Sequence, residues 1–135
     1  MMHANPSLRL GIVDDDEGAR SAVARLLRSL GHEVRTFESA EAIEAADAAG
    51  LALDCLIVDV RLPGVSGPEL RDRLRGRGML TPVVFITGDV GLKIRDAART
   101  GGTLTVVKPF DGETLLAAVV AALAAAQSSP VPHAR

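Results

Sequence analysis

The chain contains no tryptophan, no tyrosine and three phenylalanines, Phe37, Phe85 and Phe110, among its 135 residues. So few aromatic rings argue against recognition of single-stranded nucleic acid by base stacking. The formal net charge is -2, and acidic and basic residues are mixed along the sequence, so the clustered Lys and Arg of a nucleic-acid surface are also missing. The composition therefore predicts no direct contact with nucleic acid.

The chain is also poor in cysteine and in long apolar stretches. The single cysteine, Cys55, lies in an apolar run and is expected to be a reduced thiol packed in the core. No stretch approaches the roughly 18 uncharged apolar residues of a membrane span, and the N-terminal MMHANPS lacks the apolar region of a signal peptide. These absences predict a soluble, cytoplasmic protein without membrane contact.

Short apolar runs alternate with helical periodicities along the whole chain. Five βα units with short connections predict an α/β fold, a doubly wound (βα)₅ three-layer sandwich around a five-stranded parallel sheet. One domain is expected over residues 8–126, with disorder at 1–7 and 127–135. The predicted strands are 8–13, 33–37, 53–58, 82–86 and 103–107, and the predicted helices are 16–30, 39–48, 66–76, 91–100 and 111–126.

Five polar residues directly follow four of these apolar runs: Asp14, Asp15, Asp59, Thr87 and Lys108. The carboxyl ends of parallel strands lie at one edge of a sheet, and ligands bind there in doubly wound folds. No GxGxxG or GxxxxGK[ST] loop follows the first run, which argues against a dinucleotide site or a P-loop. Each polar residue alone has an ordinary explanation as a cap or turn residue. Their joint placement predicts one site.

The residue types in this site indicate phosphoryl chemistry. Asp14, Asp15 and Asp59 would repel one another unless a cation offsets their charge, and a small hard ion such as Mg²⁺ prefers oxygen ligands. An aspartate beside the metal can attack phosphorus and form an acyl phosphate. Lys108 would neutralise charge on the transferred group, and Thr87 would donate a hydrogen bond to it.

The sequence resembles a known family, the receiver domain of two-component response regulators. Its motifs are similar to those of the FixJ-like branch of CheY-like receivers. The segments that carry the resemblance are IVDDDEGAR, LIVDVRLPGVSG, VVFITG and VVKPF, and the similarity extends over residues 8–126. The resemblance implies a strand order of 2-1-3-4-5 and a specific role for each residue of the site. Asp59 would be the phosphorylated aspartate, Asp14, Asp15, Asp59 and the backbone carbonyl of Arg61 would bind Mg²⁺, and Thr87 and Lys108 would contact the phosphoryl group.

Two departures from the family pattern concern signal transmission. The family usually has Tyr or Phe three residues before the lysine, whereas this chain has Thr105, and the segment between Thr87 and Lys108 is one residue shorter, with the loss expected in GDVG. Arg61 and Asp89 occupy positions that tune autodephosphorylation in the family. The resemblance therefore implies intact chemistry, whereas the departures imply that the protein either signals through a different surface or changes conformation only weakly on phosphorylation.

The function predicted is a phosphoacceptor that takes a phosphoryl group from a histidine kinase or phosphotransfer protein and signals by contact with a downstream protein, without being an enzyme. The chain resembles either a single-domain regulator or part of a longer one. The oligomeric state stays open, although the surface formed by the helix at 91–100, the strand at 103–107 and the last helix resembles the one that many receivers use to form a homodimer. One alternative is a phosphorylation-independent interaction module. Another is a phosphatase, which lacks support because Val60 and Arg61 do not continue a DxDx[TV] pattern.

Overall fold

A computed structural model describes residues 7–46, 51–88 and 104–128 of the chain. Its main sheet has five parallel strands in the order β2-β1-β3-β6-β7, and a two-stranded antiparallel hairpin, β4-β5, follows β3. The strands are β1 (Arg9–Val13), β2 (Glu33–Phe37), β3 (Cys55–Asp59), β4 (Arg61–Leu62), β5 (Val65–Ser66), β6 (Val83–Thr87) and β7 (Leu104–Val107).

Four helices are described, and their N-termini are capped by side chains that the sequence supplies. They are α1 (Glu17–Ser29), α2 (Ala40–Ala45), α3 (Gly67–Gly76) and α4 (Gly112–Ser128). The Ser39 side chain accepts a hydrogen bond from Ala42 N in α2, and Ser66 and Glu69 form a reciprocal capping box at α3. These oxygens satisfy N–H groups that have no partner inside a helix.

The sheet is buried on both faces, which makes three layers. On one face, α2 and α3 cover a core that includes Val58, Leu70 and Phe85, and on the other face α1 and α4 cover a core that includes Ile57, Leu27 and Leu115. Successive residues of β3 therefore enter different cores, because neighbouring side chains of a strand point to opposite faces. This explains why the central runs are apolar throughout instead of alternating.

The predicted fold class and strand order are confirmed, since the five main strands taken in chain order lie as 2-1-3-4-5. Three details differ from the prediction. Asp59 and Thr87 are the last residues of their strands instead of following them, and the short β4-β5 hairpin has no strand-length apolar pattern that would predict it. Helix α4 extends to Ser128, two residues beyond its predicted end.

Some predictions fall on residues outside the described ranges. They include the helix at 91–100, the shortened GDVG segment beyond Gly88, Asp89, and most of the two termini. The limits of the domain stay a prediction. Within the described residues, none of the helices has the length and apolar character that a membrane span requires.

Cys55 is wholly buried in β3 and has no disulfide partner among the described residues. Burial raises the pKa of its thiol to about 12, so the group is a neutral thiol at physiological pH. Its side chain belongs to the core shared with α1 and α4. The interpretation of this residue as an inert core thiol agrees with its surroundings.

Candidate functional site

The topology brings the carboxyl ends of four neighbouring strands to one edge of the sheet. Strand β3 lies between β1 and β6, and β6 pairs with β7 so that Thr87 is opposite Val107. The backbone N–H of Lys108 donates a hydrogen bond to the carbonyl of Thr87 at 2.7 Å, which continues this pairing one residue further. The residues that end or follow these strands therefore meet at one end of the sheet.

Three aspartates form the centre of the site. Asp14 follows β1 and is fully buried, Asp59 ends β3 with 13% of its side chain exposed, and Asp15 is exposed at the entrance. One carboxylate oxygen from each lies within 4.8 Å of the others. Three negative charges at this separation are favourable only when cationic groups lie among them.

The buried carboxylate of Asp14 is held by its own loop. Its Oδ1 accepts a hydrogen bond from Asp16 N at 3.0 Å, whereas its buried Oδ2 has no hydrogen-bond partner among the described residues. Burial raises the pKa of Asp14, and the hydrogen bond from Asp16 partly offsets this effect. Asp59 raises the pKa further and Lys108 lowers it. An unpartnered buried oxygen that faces two other carboxylates is the kind of atom that a metal ion satisfies.

Lys108 brings a positive charge to the carboxylates. Its Nζ lies 3.4 Å from Asp59 Oδ2 and 3.9 Å from Asp14 Oδ2, and 36% of its side chain is exposed. The ammonium therefore lies between the interior of the site and solvent, where a group arriving from outside could contact it. An ammonium is a compact point charge on a flexible stem, so at this position it can contact an anion that enters the site.

Asp59 is placed by the backbone around it. Its Oδ1 accepts a hydrogen bond from the N–H of Arg61 at 3.0 Å. Gly67, the first residue of α3, donates its N–H to the carbonyl of Val60 at 2.7 Å. A Cβ atom on Gly67 would lie 2.8 Å from the backbone oxygen of Asp59, so only glycine permits this approach of the helix to the strand.

Thr87 and Thr105 lie on neighbouring strands but have different surroundings. Thr87 ends β6 at the site and is 2% exposed. Thr105 lies within β7, opposite Phe85, and is 8% exposed, and its Oγ1 has no hydrogen-bond partner among the described residues. Arg61, whose carbonyl is a predicted metal ligand, is the first residue of the β4-β5 hairpin and follows Asp59 by two residues in the chain.

Every residue of the predicted site lies in a described range, and four of them form one cluster: Asp14, Asp15, Asp59 and Lys108. The sequence reasoning missed two supporting residues. One is Gly67, which the VSG segment contains but which no strand-end pattern distinguishes. The other is Arg20, whose Nη1 donates a hydrogen bond to the backbone oxygen of Asp14 at 2.8 Å. Only the fold shows that these residues contact the site.

The donor set suits a hard divalent cation. Three carboxylates provide oxygen ligands on one side, while the exposure of Asp15 leaves the other side open to solvent. Mg²⁺ keeps several waters and is bound by few carboxylates, so an open site of this kind fits it better than a closed cage would. The residues of the site could therefore hold a metal ion.

Comparison with known proteins identifies the class to which this fold and site belong. Residues 10–120 match the family described as response regulator receiver domain. The chain belongs to this family.

The relatives include full regulators and isolated receiver structures. The chain is 40% identical over 121 residues to the transcriptional regulatory protein FixJ of Azorhizobium caulinodans, covering 87% of this chain and 56% of the relative. Among solved structures, FixJ-N has a TM-score of 0.77 at 30% identity, covering 95% of this chain and 99% of that one, and Vibrio cholerae CheY4 has a TM-score of 0.75 at 28% identity, covering 87% and 99%. The chain spans about half the length of the curated relatives it matches.

Proposed function

We propose that this receiver domain accepts a phosphoryl group on Asp59 in a Mg²⁺-dependent reaction, with a histidine kinase or a phosphotransfer protein as the donor. The observation that supports the proposal is the cluster of three carboxylates within 4.8 Å of one another, with Lys108 Nζ at 3.4 Å from Asp59. A cluster of this kind has a nucleophile, metal ligands and a cation for the transferred group in one place.

In the proposed reaction, a carboxylate oxygen of Asp59 attacks phosphorus and forms an O–P bond. The bond between phosphorus and the donor's imidazole nitrogen breaks, and the nitrogen keeps the electron pair. Asp59 can take this role because its Oδ1 is fixed by the N–H of Arg61 while its Oδ2 faces Lys108. The attacking oxygen is thereby directed into the site before any donor arrives.

The other residues stabilise the transferred group. Lys108 would move its ammonium from the carboxylates to a phosphoryl oxygen, and the hydroxyl of Thr87 would donate a second hydrogen bond. Bound Mg²⁺ would supply positive charge to the phosphoryl oxygens. Asp14, Asp15, Asp59 and the backbone carbonyl of Arg61 would hold this ion.

The domain is proposed to be a phosphoacceptor in the cytoplasm and not an enzyme with an external substrate. The phosphoryl group would stay on the chain until water attacks phosphorus and releases inorganic phosphate, which regenerates the Asp59 carboxylate. Both half-reactions would use the chain's own residues. No repeated turnover of phosphate esters is expected.

The test is incubation with acetyl phosphate and MgCl₂, followed by intact mass spectrometry. The unmodified protein should gain the mass of one phosphoryl group, and the gain should disappear without Mg²⁺ and in Asp59→Asn. Asp72→Asn, an exposed aspartate of α3, is the matched control and should be phosphorylated normally. A mass gain that persists in Asp59→Asn would refute the assignment of Asp59.

We further propose that the domain signals by protein contact at the side formed by β7 and α4. A groove of about 380 Å³ lies there, and the residues lining it include Thr105, Val107, Phe110, Thr114 and Ala118. Val120 lies on the same helix and is 54% exposed, which adds apolar surface to α4. This surface could hold a downstream protein or a second copy of the domain.

A second candidate function is a receiver-fold interaction module whose output does not depend on phosphate. It is favoured by Thr105, because a small hydroxyl side chain stands within β7 where the family usually has an aromatic ring. The two candidates predict different outcomes when size-exclusion and small-angle scattering profiles are recorded with and without Mg²⁺ and beryllofluoride, a phosphoryl mimic. A profile that changes with beryllofluoride in the wild type but not in Asp59→Asn supports the phosphorylation-dependent function, and identical profiles support the alternative.

A further inference from the structure

Arg20 is a cation that contacts the acidic loop through a backbone oxygen, and within the described residues it makes no hydrogen bond to a carboxylate. It lies one turn into α1, and its side chain extends back six residues, so that Nη1 donates to the backbone oxygen of Asp14 at 2.8 Å. The guanidinium is partly buried in this position. A charged donor on a backbone carbonyl stabilises more than a neutral one does and fixes the orientation of the peptide that it contacts.

The peptide that Arg20 contacts is the one that joins Asp14 to Asp15. The preceding peptide is held by a hydrogen bond from Asp14 N to Phe37 O at 3.2 Å, and the following one by Asp16 N to Asp14 Oδ1 at 3.0 Å. Among the described residues, the peptide between these two is held by the hydrogen bond that Arg20 donates to the carbonyl of Asp14. Loss of this hydrogen bond would leave the peptide with more freedom to rotate.

Asp15 depends on this peptide more than the other two aspartates do. Asp14 is buried and Asp59 accepts a hydrogen bond from Arg61 N, but Asp15 is exposed and its carboxylate has no hydrogen bond or ion pair among the described residues. Among the described residues, only its own backbone therefore holds this side chain, and that backbone sets the position of Cβ and the region that the carboxylate can reach. Rotation of the peptide between Asp14 and Asp15 would turn this carboxylate away from the other two.

We infer that Arg20 is a positioning residue of the metal site, which aims the carboxylate of Asp15 at the bound cation by fixing the carbonyl of Asp14. This inference rests on the proposed Mg²⁺ dependence and names a residue that supports it.

Because Arg20 is charged, the direction in which its removal changes the affinity for Mg²⁺ tests the inference. If the guanidinium acted only as a nearby positive charge, its removal would strengthen Mg²⁺ binding, because like charges repel. If it positions Asp15, its removal should weaken binding, since loss of a residue that orients a metal ligand typically costs about 10-fold to 100-fold in affinity. The two explanations therefore predict opposite changes in the dissociation constant.

The experiment is a titration of the ¹⁵N-labelled domain with MgCl₂ at constant ionic strength, followed by NMR because the chain has no tryptophan. Arg20→Met keeps the length of the side chain without charge or donor, and its dissociation constant for Mg²⁺ should rise about 10-fold. Arg20→Lys keeps a donor and should recover part of the affinity. Arg25→Met, on an exposed position of the same helix, is the matched control and should bind as the wild type does.

A second measurement separates positioning from a general loss of structure. The rate of phosphorylation by acetyl phosphate should require about 10-fold more Mg²⁺ in Arg20→Met but reach the wild-type maximum at saturation, because the nucleophile itself is unchanged. Unchanged or tighter Mg²⁺ binding in Arg20→Met, or equal weakening in Arg25→Met, would overturn the role of Arg20. Absence of Mg²⁺ binding by the wild type would instead overturn the proposed metal dependence together with this inference.

Discussion

Two regions of the described chain contain a buried oxygen without a hydrogen-bond partner, and they differ in what surrounds it. Asp14 Oδ2 lies in the acidic site, with Asp15 and Asp59 within 4.8 Å and Lys108 Nζ at 3.9 Å. Thr105 Oγ1 lies within β7, where it is buried and has no hydrogen-bond partner among the described residues. The first oxygen belongs to a group of carboxylates that could hold a metal ion, whereas the second has no such group beside it among the described residues.

The surroundings of an unsatisfied polar atom decide how it is interpreted. Burying such an atom costs about 1 to 3 kcal/mol, so a native structure has either a ligand that satisfies it or a cost that the rest of the fold offsets. The surroundings of Asp14 indicate a ligand, because charge and oxygen donors converge there. Within the described residues, the surroundings of Thr105 contain no such group, so its buried hydroxyl is expected to lower the free energy of unfolding. Substitutions in the two regions should therefore change stability for different reasons, and only one set should change phosphorylation.

The largest effect is expected from Gly67→Ala, which would displace the backbone of the acidic site. The added Cβ would lie 2.8 Å from the oxygen of Asp59 and 3.0 Å from Val60 Cα, both of which are backbone atoms that cannot rotate away. We expect a loss of about 1 to 3 kcal/mol in the free energy of unfolding. Phosphorylation should slow by up to about 100-fold as Asp59 is displaced. Urea unfolding and an intact-mass time course measure the two effects.

The matched control is Gly76→Ala, at the other end of the same helix. A Cβ there would meet nothing within 4 Å, so the substitution should raise stability by about 0.5 to 1 kcal/mol by removing backbone freedom from the unfolded chain. Phosphorylation should not change. If Gly67→Ala were as well tolerated as Gly76→Ala, the acidic site would not depend on the close approach of α3 to β3.

These two glycines show how far the sequence alone could go. The strands that carry Asp14, Asp59, Thr87 and Lys108 were predictable, because continuous apolar runs of strand length and parallel topology place their ends together. The role of Gly67 was not predictable, since its reason is a contact with a strand eight residues earlier in the chain. The same holds for the hydrogen bond of Arg20, which depends on where α1 begins. Local pattern predicts elements, and tertiary contact decides which residues support the site.

A smaller effect is expected from Asp14→Asn in the absence of Mg²⁺. The folded protein raises the pKa of Asp14 above its usual 3.8 by burial. The folded state therefore binds more protons than the unfolded chain does, and stability falls as the pH rises from 3.8 through the folded pKa. Asn keeps the acceptor for Asp16 N and removes this loss, so the variant should be more stable than the wild type by about 1 kcal/mol at neutral pH. The difference should disappear below pH 3.8.

Urea unfolding at several pH values checks this prediction, with Asp72→Asn as the control because that carboxylate is exposed and lies outside the acidic site. Saturating Mg²⁺ should reverse the order, since a ligand at about 100 times its dissociation constant adds about 2.7 kcal/mol to the state that binds it. The wild type should gain this stability and Asp14→Asn should gain less. A variant that is less stable than the wild type at neutral pH without metal would show that Asp14 is not penalised by its burial.

The smallest effect is expected in the other region, from Thr105→Val. Valine keeps the branched shape that suits a strand and removes the unpartnered hydroxyl, so the metal-free protein should gain about 1 kcal/mol. Thr36→Val in β2 is the control, because Thr36 is exposed and water satisfies its hydroxyl, and its change should stay within about 0.5 kcal/mol. Destabilisation by Thr105→Val would show that the hydroxyl has a partner and would remove the contrast with Asp14.

The same variant can connect the two regions when its stability is measured again with Mg²⁺ and beryllofluoride. If the region around Thr105 does not respond to the acidic site, the gain from valine should be equal in both states, because the hydroxyl remains unsatisfied. If occupation of the site moves β7 or its neighbours so that the hydroxyl finds a partner, valine should lose its advantage by about the free energy of one hydrogen bond, roughly 0.5 to 1.5 kcal/mol. The first result favours a receiver whose output surface is independent of phosphate, and the second favours a relay in which a threonine replaces the aromatic ring.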